Sequence, residues 1–271
     1  MDLYWQNKIV LITGGSSGLG KVLARHFLEN SAQVILVARH EKGLSDAVDE
    51  LQAISSKVSL LAADVTSTES VEELYDQVSK KYSRLDLLLN VAGRSTRGNA
   101  LEVPVEEFQE IWDLNFLSIV RTTQTFAPLL KDSQGTIVNI GSLASKGVSP
   151  FLGAYPVSKF SVAAYSAQIR QELQPFGVHV LLVCPGPIHR SDSNSRYLKE
   201  AKGLPGDAGK PGGGIQIAGL DADRLADKIL LYAKKKRAEL IMPAKAKILF
   251  VLSQISPRLG DWIIKIVGPK K

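Results

Sequence analysis

Thr13-Gly14-Gly15-Ser16-Ser17-Gly18-Leu19-Gly20 lies between an apolar run, Ile9–Thr13, and an amphipathic stretch over residues 18–30. Glycine lets a chain turn tightly and lets its backbone come close to a pyrophosphate. A helix that starts among such glycines offers unpaired N–H groups and the positive end of its dipole. A tight turn alone would explain an isolated glycine cluster. Its place between the first strand and the first helix makes it a candidate dinucleotide cradle.

The same rhythm continues outward. Apolar runs rich in Val, Ile and Leu recur at Val34–Ala38, Val58–Ala63, Leu85–Asn90, Thr136–Ile140, His179–Cys184 and Glu239–Met242. Amphipathic stretches over 41–54, 68–82, 104–131, 154–175 and 221–236 read as helices. Continuous apolar runs suit strands buried on both faces. Strand–helix alternation therefore predicts an α/β fold of three layers: a Rossmann fold with a doubly wound parallel sheet and helices on both sides. No linker interrupts it, so residues 1–243 read as one nucleotide-binding domain.

The second strand ends Val37-Ala38-Arg39-His40. A NAD-binding chain usually places an acid about 20 residues beyond the glycines, to hold the ribose hydroxyls. Arg39 stands there instead, and arginine pairs with a 2′-phosphate. A surface arginine at a strand end is the plainer alternative. The missing acid and the present base together favour NADP(H).

Tyr155-Pro156-Val157-Ser158-Lys159 opens the helix after the fifth strand, and the i,i+4 spacing places Tyr155 and Lys159 on one face. A lysine cation beside a phenol favours phenolate and turns tyrosine into a usable acid/base. Such pairs also arise by chance. Ser142, at the end of the fifth strand, can hydrogen-bond a substrate oxygen, or it can simply cap a turn.

Taken jointly, Thr13-Gly14-x3-Gly18-x-Gly20, Asp64, Asn90-Val91-Ala92-Gly93, Asn115, Ser142, Tyr155-x3-Lys159 and Pro185-Gly186 resemble the short-chain dehydrogenase/reductase family over roughly residues 6–243. The branch of dehydrogenase/reductase member 7 and 11-beta-hydroxysteroid dehydrogenase-like enzymes is the most similar in pattern. The resemblance implies a seven-stranded sheet and an oxidoreductase that interconverts a carbonyl and a secondary alcohol on a lipid, steroid or retinoid-like substrate. It implies that Tyr155 exchanges the proton and that Lys159 lowers its pKa and holds the nicotinamide ribose. Ser142 would orient the carbonyl, and Asn115 would support a water leading to Lys159. Ser16, Ser17 and Leu19 would join the glycines, Thr13 and His40 in holding NADP(H). Asp64 and Val65 would flank the adenine. Asn90, Ala92 and Gly93 would line the cleft, and Ile188, after Pro185-Gly186, would meet the carboxamide through its backbone. A homodimer or homotetramer is implied as well. A 3-ketoacyl reductase, or a nucleotide-binding regulator without turnover, shares most of these features.

The chain departs from the family pattern in four places. Val91 replaces an asparagine, Pro156 follows the tyrosine, and His189-Arg190-Ser191 stands where a threonine usually meets the carboxamide. No basic residue lies inside the glycine loop, which leaves cofactor discrimination to Arg39.

Two regions break the rhythm. Residues 191–219, rich in Gly, Pro and polar residues and containing a helix-like Arg196–Lys202, read as a substrate lid. Residues 244–271 form a hydrophobic, basic tail. It carries the apolar stretches Ile248-Leu249-Phe250-Val251-Leu252 and Trp262-Ile263-Ile264-Lys265-Ile266-Val267. Each is too short to span a bilayer but long enough to lie on a membrane surface or pack against the body.

The charge supports that division. Of a net +6, the segment Lys228–Lys271 holds 11 Lys/Arg and 2 Asp/Glu, and the rest is acidic on balance. The basic character is thus local, which argues against a nucleic-acid partner. A single cysteine, Cys184, excludes an intrachain disulfide. With no secretory signal pattern and no metal-ligand cluster in the sequence, a cytoplasmic protein is expected, peripheral at a membrane if the tail docks there.

Overall fold

The structure is a computed structural model and describes residues 3–189, 200–204, 206–210, 218–256 and 258–262. Seven strands form its centre: β1 (Ile9–Thr13), β2 (Gln33–Ala38), β3 (Val58–Ala62), β4 (Leu87–Asn90), β5 (Thr136–Ile140), β6 (His179–Pro185) and β7 (Glu239–Met242). All neighbours are parallel, in the order β3-β2-β1-β4-β5-β6-β7.

Every residue of β1, β4 and β5 is buried, because helices cover both faces. On one face Leu23 and Phe27 of α1 (Gly18–Glu29), Leu44 of α2 (Glu41–Gln52) and Ile229 of α7 (Ala222–Lys234) meet Val10, Ile12 and Leu36. On the other, Val71 and Leu74 of α3 (Thr68–Lys81), Phe126 of α5 (Ser118–Ser133) and Ile169 of α6 (Tyr155–Leu173) meet Leu11, Ile35 and Leu88. Phe27 is fully buried, and removing its ring would cost about 3–5 kcal/mol.

The strand order reverses between β1 and β4. At such a switch point the loops leaving the carboxyl ends of the two strands diverge and leave a crevice. The expected strand beginning at Leu85 starts at Leu87 instead. Its buried predecessor Asp86 turns its carboxylate to the Ile9 N–H at 2.9 Å and to Arg84 at 2.7 Å.

The single helix expected over 104–131 is two helices: α4 (Val105–Trp112), then a π-turn at Asp113–Leu117, then α5. The wider turn admits an extra residue and brings Asn115 fully into the interior. In the tail, Ile248–Leu252 belongs to α8 (Ala246–Ile255). Among the described residues no helix is long and apolar enough to cross a membrane. Most of the expected lid at 191–219 and of Arg196–Lys202 lies outside the described residues, as does the tail beyond Trp262.

Candidate active site

The glycine loop is built by close approach. Gly14 has φ +69°, and a Cβ there would lie 2.9 Å from the backbone of Ala92, in the loop after β4. A Cβ on Gly20 would press into the Gly14 carbonyl. The loop is thereby drawn against α1, whose N-cap Ser17 makes no side-chain hydrogen bond to the first turn. That turn therefore presents its N–H groups to the crevice, with the dipole behind them. Ser16 and Leu19 are part-exposed beside it, and Gly18 lies within it. Thr13 is occupied differently: its buried hydroxyl accepts from the N–H groups of Val91 and Ala92 at 3.1 and 3.3 Å. It locks the end of β1 to the loop after β4 and contributes to the cradle by shaping it.

Arg39 and His40 are exposed just beyond β2. Asp64 lies across from them. Its partial burial raises its pKa, but Thr66 donates twice to the carboxylate, at 2.9 and 2.7 Å, and the charges of Arg39 and Arg121 add to this. The net effect holds the carboxyl below its ordinary range, so Asp64 is anionic near neutrality. Val65 is buried next to it.

Beneath the crevice runs a buried polar ladder. Thr122 donates to Asn90 at 2.8 Å, Asn90 to Asn139 at 2.9 Å, and Asn139 to Ser166 at 2.9 Å. Asn90 and Asn139 pair across β4 and β5. The Asn90 side chain is thus engaged sideways, and only its backbone is left to line the cleft. Gly93, exposed after β4, lies close enough to Asn115 that a Cβ would meet its Oδ1 at 2.8 Å.

Asn115 binds its surroundings fully. Its Nδ2 donates to the Arg94 carbonyl at 2.9 Å and to Ser158 Oγ at 3.0 Å, and its Oδ1 accepts the Arg94 N–H at 2.9 Å. It joins the loop carrying Gly93 to the first turn of α6. There Lys159 is 5% exposed, its Nζ donates to the Ile140 carbonyl at 2.7 Å, and it lies 5.9 Å from the Tyr155 ring centroid. Burial pushes the lysine down to about 8, only slightly countered by Cys184. The sequence places Lys159 on the Tyr155 face of α6, and the structure agrees. Its ammonium is held by a backbone carbonyl. Pro156 sits in the first turn of α6, where its missing N–H costs nothing.

Ser142 takes the capping role considered for it. It caps a short turn, Leu143–Ser145: its Oγ accepts from the Ala144 N–H at 3.1 Å, while the Ser142 N–H donates to Ser145 Oγ at 3.0 Å. An oxygen held by an incoming N–H still has its own O–H to give.

Pro185 and Gly186 are buried where β6 meets β7, with the Gly186 N–H on the Met242 carbonyl at 2.7 Å. Ile188 forms a parallel bridge with Leu220. The bonds of that bridge run from Leu220 to Pro187 and from His189 to Leu220. This leaves the N–H and C=O of Ile188 pointing to the opposite side, as the expected carboxamide contact needs.

Sequence reasoning missed the wall of segments around Tyr155. Thr96 donates to the Leu152 carbonyl at 3.2 Å, the Gly98 N–H meets the Phe151 carbonyl, and the Tyr155 N–H meets the Leu152 carbonyl. Segment 96–98 thus braces the turn that delivers Tyr155. Arg97, 5% exposed, reaches from it to the carbonyls of Ala208 at 2.9 Å and Lys210 at 3.1 Å. Asn139 was also missed, although a lone amide in a buried apolar strand was a usable signal. Arg97 had none, because its partners lie 111 and 113 residues away. Among the described residues there is no group of three or more His, Cys, Asp or Glu that could hold a metal.

Comparison with known proteins agrees with this geometry. The family model described as short chain dehydrogenase matches residues 8–201. Dehydrogenase/reductase SDR family member 7B of Danio rerio is 31% identical over 246 residues, covering 88% of this chain and 77% of that protein. The ketoacyl reductase HetN of a Nostoc strain is 29% identical over 269 residues, covering 96% and 89%. Among solved structures, a short-chain dehydrogenase from Streptomyces avermitilis superposes with a TM-score of 0.80 at 25% identity, over 97% of both chains.

Proposed function

The chain belongs to the short-chain dehydrogenase/reductase family, and from that premise we propose that it is an NADP(H)-dependent reductase of a hydrophobic carbonyl compound. The observation that carries this reading is the convergence of Ser142, Tyr155, Lys159 and Asn115 at the carboxyl ends of β4 and β5, beside an open helix N-terminus.

The cradle fits a dinucleotide. Gly14 and Gly20 let the loop close on Ala92 and on itself, Gly18 turns it at φ +52°, and the first turn of α1, with Ser16, Ser17 and Leu19, offers donors to a pyrophosphate. Arg39, with His40, would take the 2′-phosphate. Asp64 and Val65 would face the adenine. The backbones of Asn90, Ala92 and Gly93, together with Tyr155 and Lys159, would meet the ribose. Pro185, Gly186 and Ile188 would meet the carboxamide.

When bound, the nicotinamide supplies hydride to the carbonyl carbon or takes it from the alcohol. In reduction Tyr155 gives its phenolic proton to the carbonyl oxygen. Ser142 donates to the same oxygen and fixes its position. Lys159, cationic below about pH 8, stabilises the phenolate that remains. Asn115 holds Ser158 and the Gly93 loop in register around the pair. Residues 1–243 act as one catalytic domain with the insert near 191–219 as its lid, and the protein assembles as a homodimer or homotetramer.

Purified protein assayed with NADPH and NADH against long-chain aldehydes and ketones, a steroid ketone, retinal and 3-ketoacyl thioesters tests the reading. NADPH oxidation with the apolar carbonyls and little with NADH is expected. Turnover confined to 3-ketoacyl thioesters would make it a ketoacyl reductase, as HetN is named. NADPH binding without turnover of any of them would make it a nucleotide-binding regulator.

A further inference from the structure

Helix α8 carries apolar residues on two sides. One side rests on the body: Ala246 is buried, and the Phe250 ring packs where a Cβ on Gly147 would lie 3.1 Å from it. The other side faces solvent. Ile248, Val251, Leu252 and Ile255 are 66, 56, 37 and 73% exposed, and their i, i+3, i+4, i+7 spacing makes one continuous stripe. Trp262, 59% exposed, follows a few residues later. Single exposed apolar residues are ordinary, but a contiguous apolar face marks an interaction surface.

The charges around the stripe indicate its partner. Lys245 and Lys247 are exposed at the start of α8 and Arg258 just beyond its end, whereas the helix itself contains no acid. Asp261 is the nearest acid in sequence that follows it. A second copy of the chain, meeting this face about a two-fold axis, would bring cation against cation at the rim. An anionic lipid surface answers both features at once, with head groups for the lysines and acyl chains for the stripe.

We propose that the outer face of α8 is a docking surface for anionic membranes, with Ile248, Val251 and Ile255 inserted at the interface and Lys245 and Lys247 at the head groups. The inner side of the same helix packs on Gly147, five residues beyond Ser142, so a docked molecule holds that end of the catalytic segment near the bilayer. That last point rests on the catalytic reading above, whereas docking itself does not. A failure of either is therefore seen separately.

The test is flotation of the full-length protein with vesicles of phosphatidylcholine alone or mixed with phosphatidylserine. Flotation with the mixed vesicles is expected, reduced without phosphatidylserine and at high salt. Ile248→Asp/Val251→Asp/Ile255→Asp should lower partitioning at least tenfold. Lys245→Glu/Lys247→Glu should lower it roughly fivefold per lysine, and only on anionic vesicles. Ile54→Asp, an exposed apolar residue on the far side, should change nothing, and thermal melts check that each variant folds. The proposal is overturned if the wild type stays with the unbound fraction. It is equally overturned if the triple variant floats as well as the wild type, or if that variant instead converts a sedimenting oligomer to monomer.

Discussion

The proposed nucleotide cradle and the wall of segments that brace Tyr155 are built on opposite principles. The cradle is largely local: Thr13 to Gly20 is one unbroken stretch, shaped mainly by residues that lack a side chain and tied by Thr13 to the loop after β4. The wall is assembled from distant pieces, 96–98, 147–153 and 206–210, held by hydrogen bonds such as Arg97 to Ala208, 111 residues apart. A local device must keep its spacing to work at all. An assembled one can change any piece that keeps the contact, which is the freedom a family needs to alter substrates on one cofactor site.

The largest effect should come where the two regions meet. Tyr155→Phe keeps the ring and removes the proton, so kcat should fall at least ~100-fold while NADPH affinity stays within about twofold. Retained turnover above a tenth of wild type would show that the wall delivers some other acid. Within the cradle alone, Arg39→Asp should cut the NADPH-over-NADH preference in kcat/KM by at least ~10-fold and leave carbonyl selectivity unchanged, because a carboxylate repels the 2′-phosphate. Equal use of both cofactors by the wild type would remove Arg39 from that role.

The same contrast explains what could be read in advance. The sheet, its seven strands and five of the helices lie close to where apolar periodicity puts them, because both signals are local. The break at Asp113–Leu117 is silent, since a π-turn adds one residue without altering composition. Tyr155 and Lys159 were legible through their spacing and Ser142 through its place at a strand end, Asn115 only through the family resemblance, and contacts in the structure link Asn115 to the first turn of α6 and Lys159 to Tyr155 and the end of β5. The polar ladder was half legible: Asn90 was read as lining the cleft, and the structure turns its side chain to Asn139 instead.

Arg97 tests whether the wall is as modular as its construction suggests. Arg97→Met keeps the aliphatic bulk but removes the donor to the buried Ala208 carbonyl, at about 1–3 kcal/mol for a buried unsatisfied group, and the tie to Lys210. Amide exchange over 206–210 should accelerate about tenfold and KM for an apolar carbonyl rise by several-fold, with KM for NADPH unchanged. Unaltered exchange in that segment would contradict the brace.

Lys159 gives the smallest effect, and it runs against function. Its pKa is about 8 in the folded chain and ordinarily 10.5, so the fold binds its proton less tightly than the unfolded chain does. A charged Lys159 therefore destabilises the protein fully below about pH 8, progressively less between pH 8 and 10.5, and not at all above. The gross penalty, on the order of 3 kcal/mol, is a ceiling, because Lys159→Met also leaves the buried Ile140 carbonyl without its donor. A net gain of about 1 kcal/mol remains, which for a chain of this size raises Tm by roughly 2–4 °C. Melts of ligand-free Lys159→Met should show that gain at pH 7 and its loss as the pH approaches 10.5, in a protein with turnover severely reduced. A variant less stable than wild type at pH 7 would mean that the Lys159–Ile140 bond outweighs the burial of the charge.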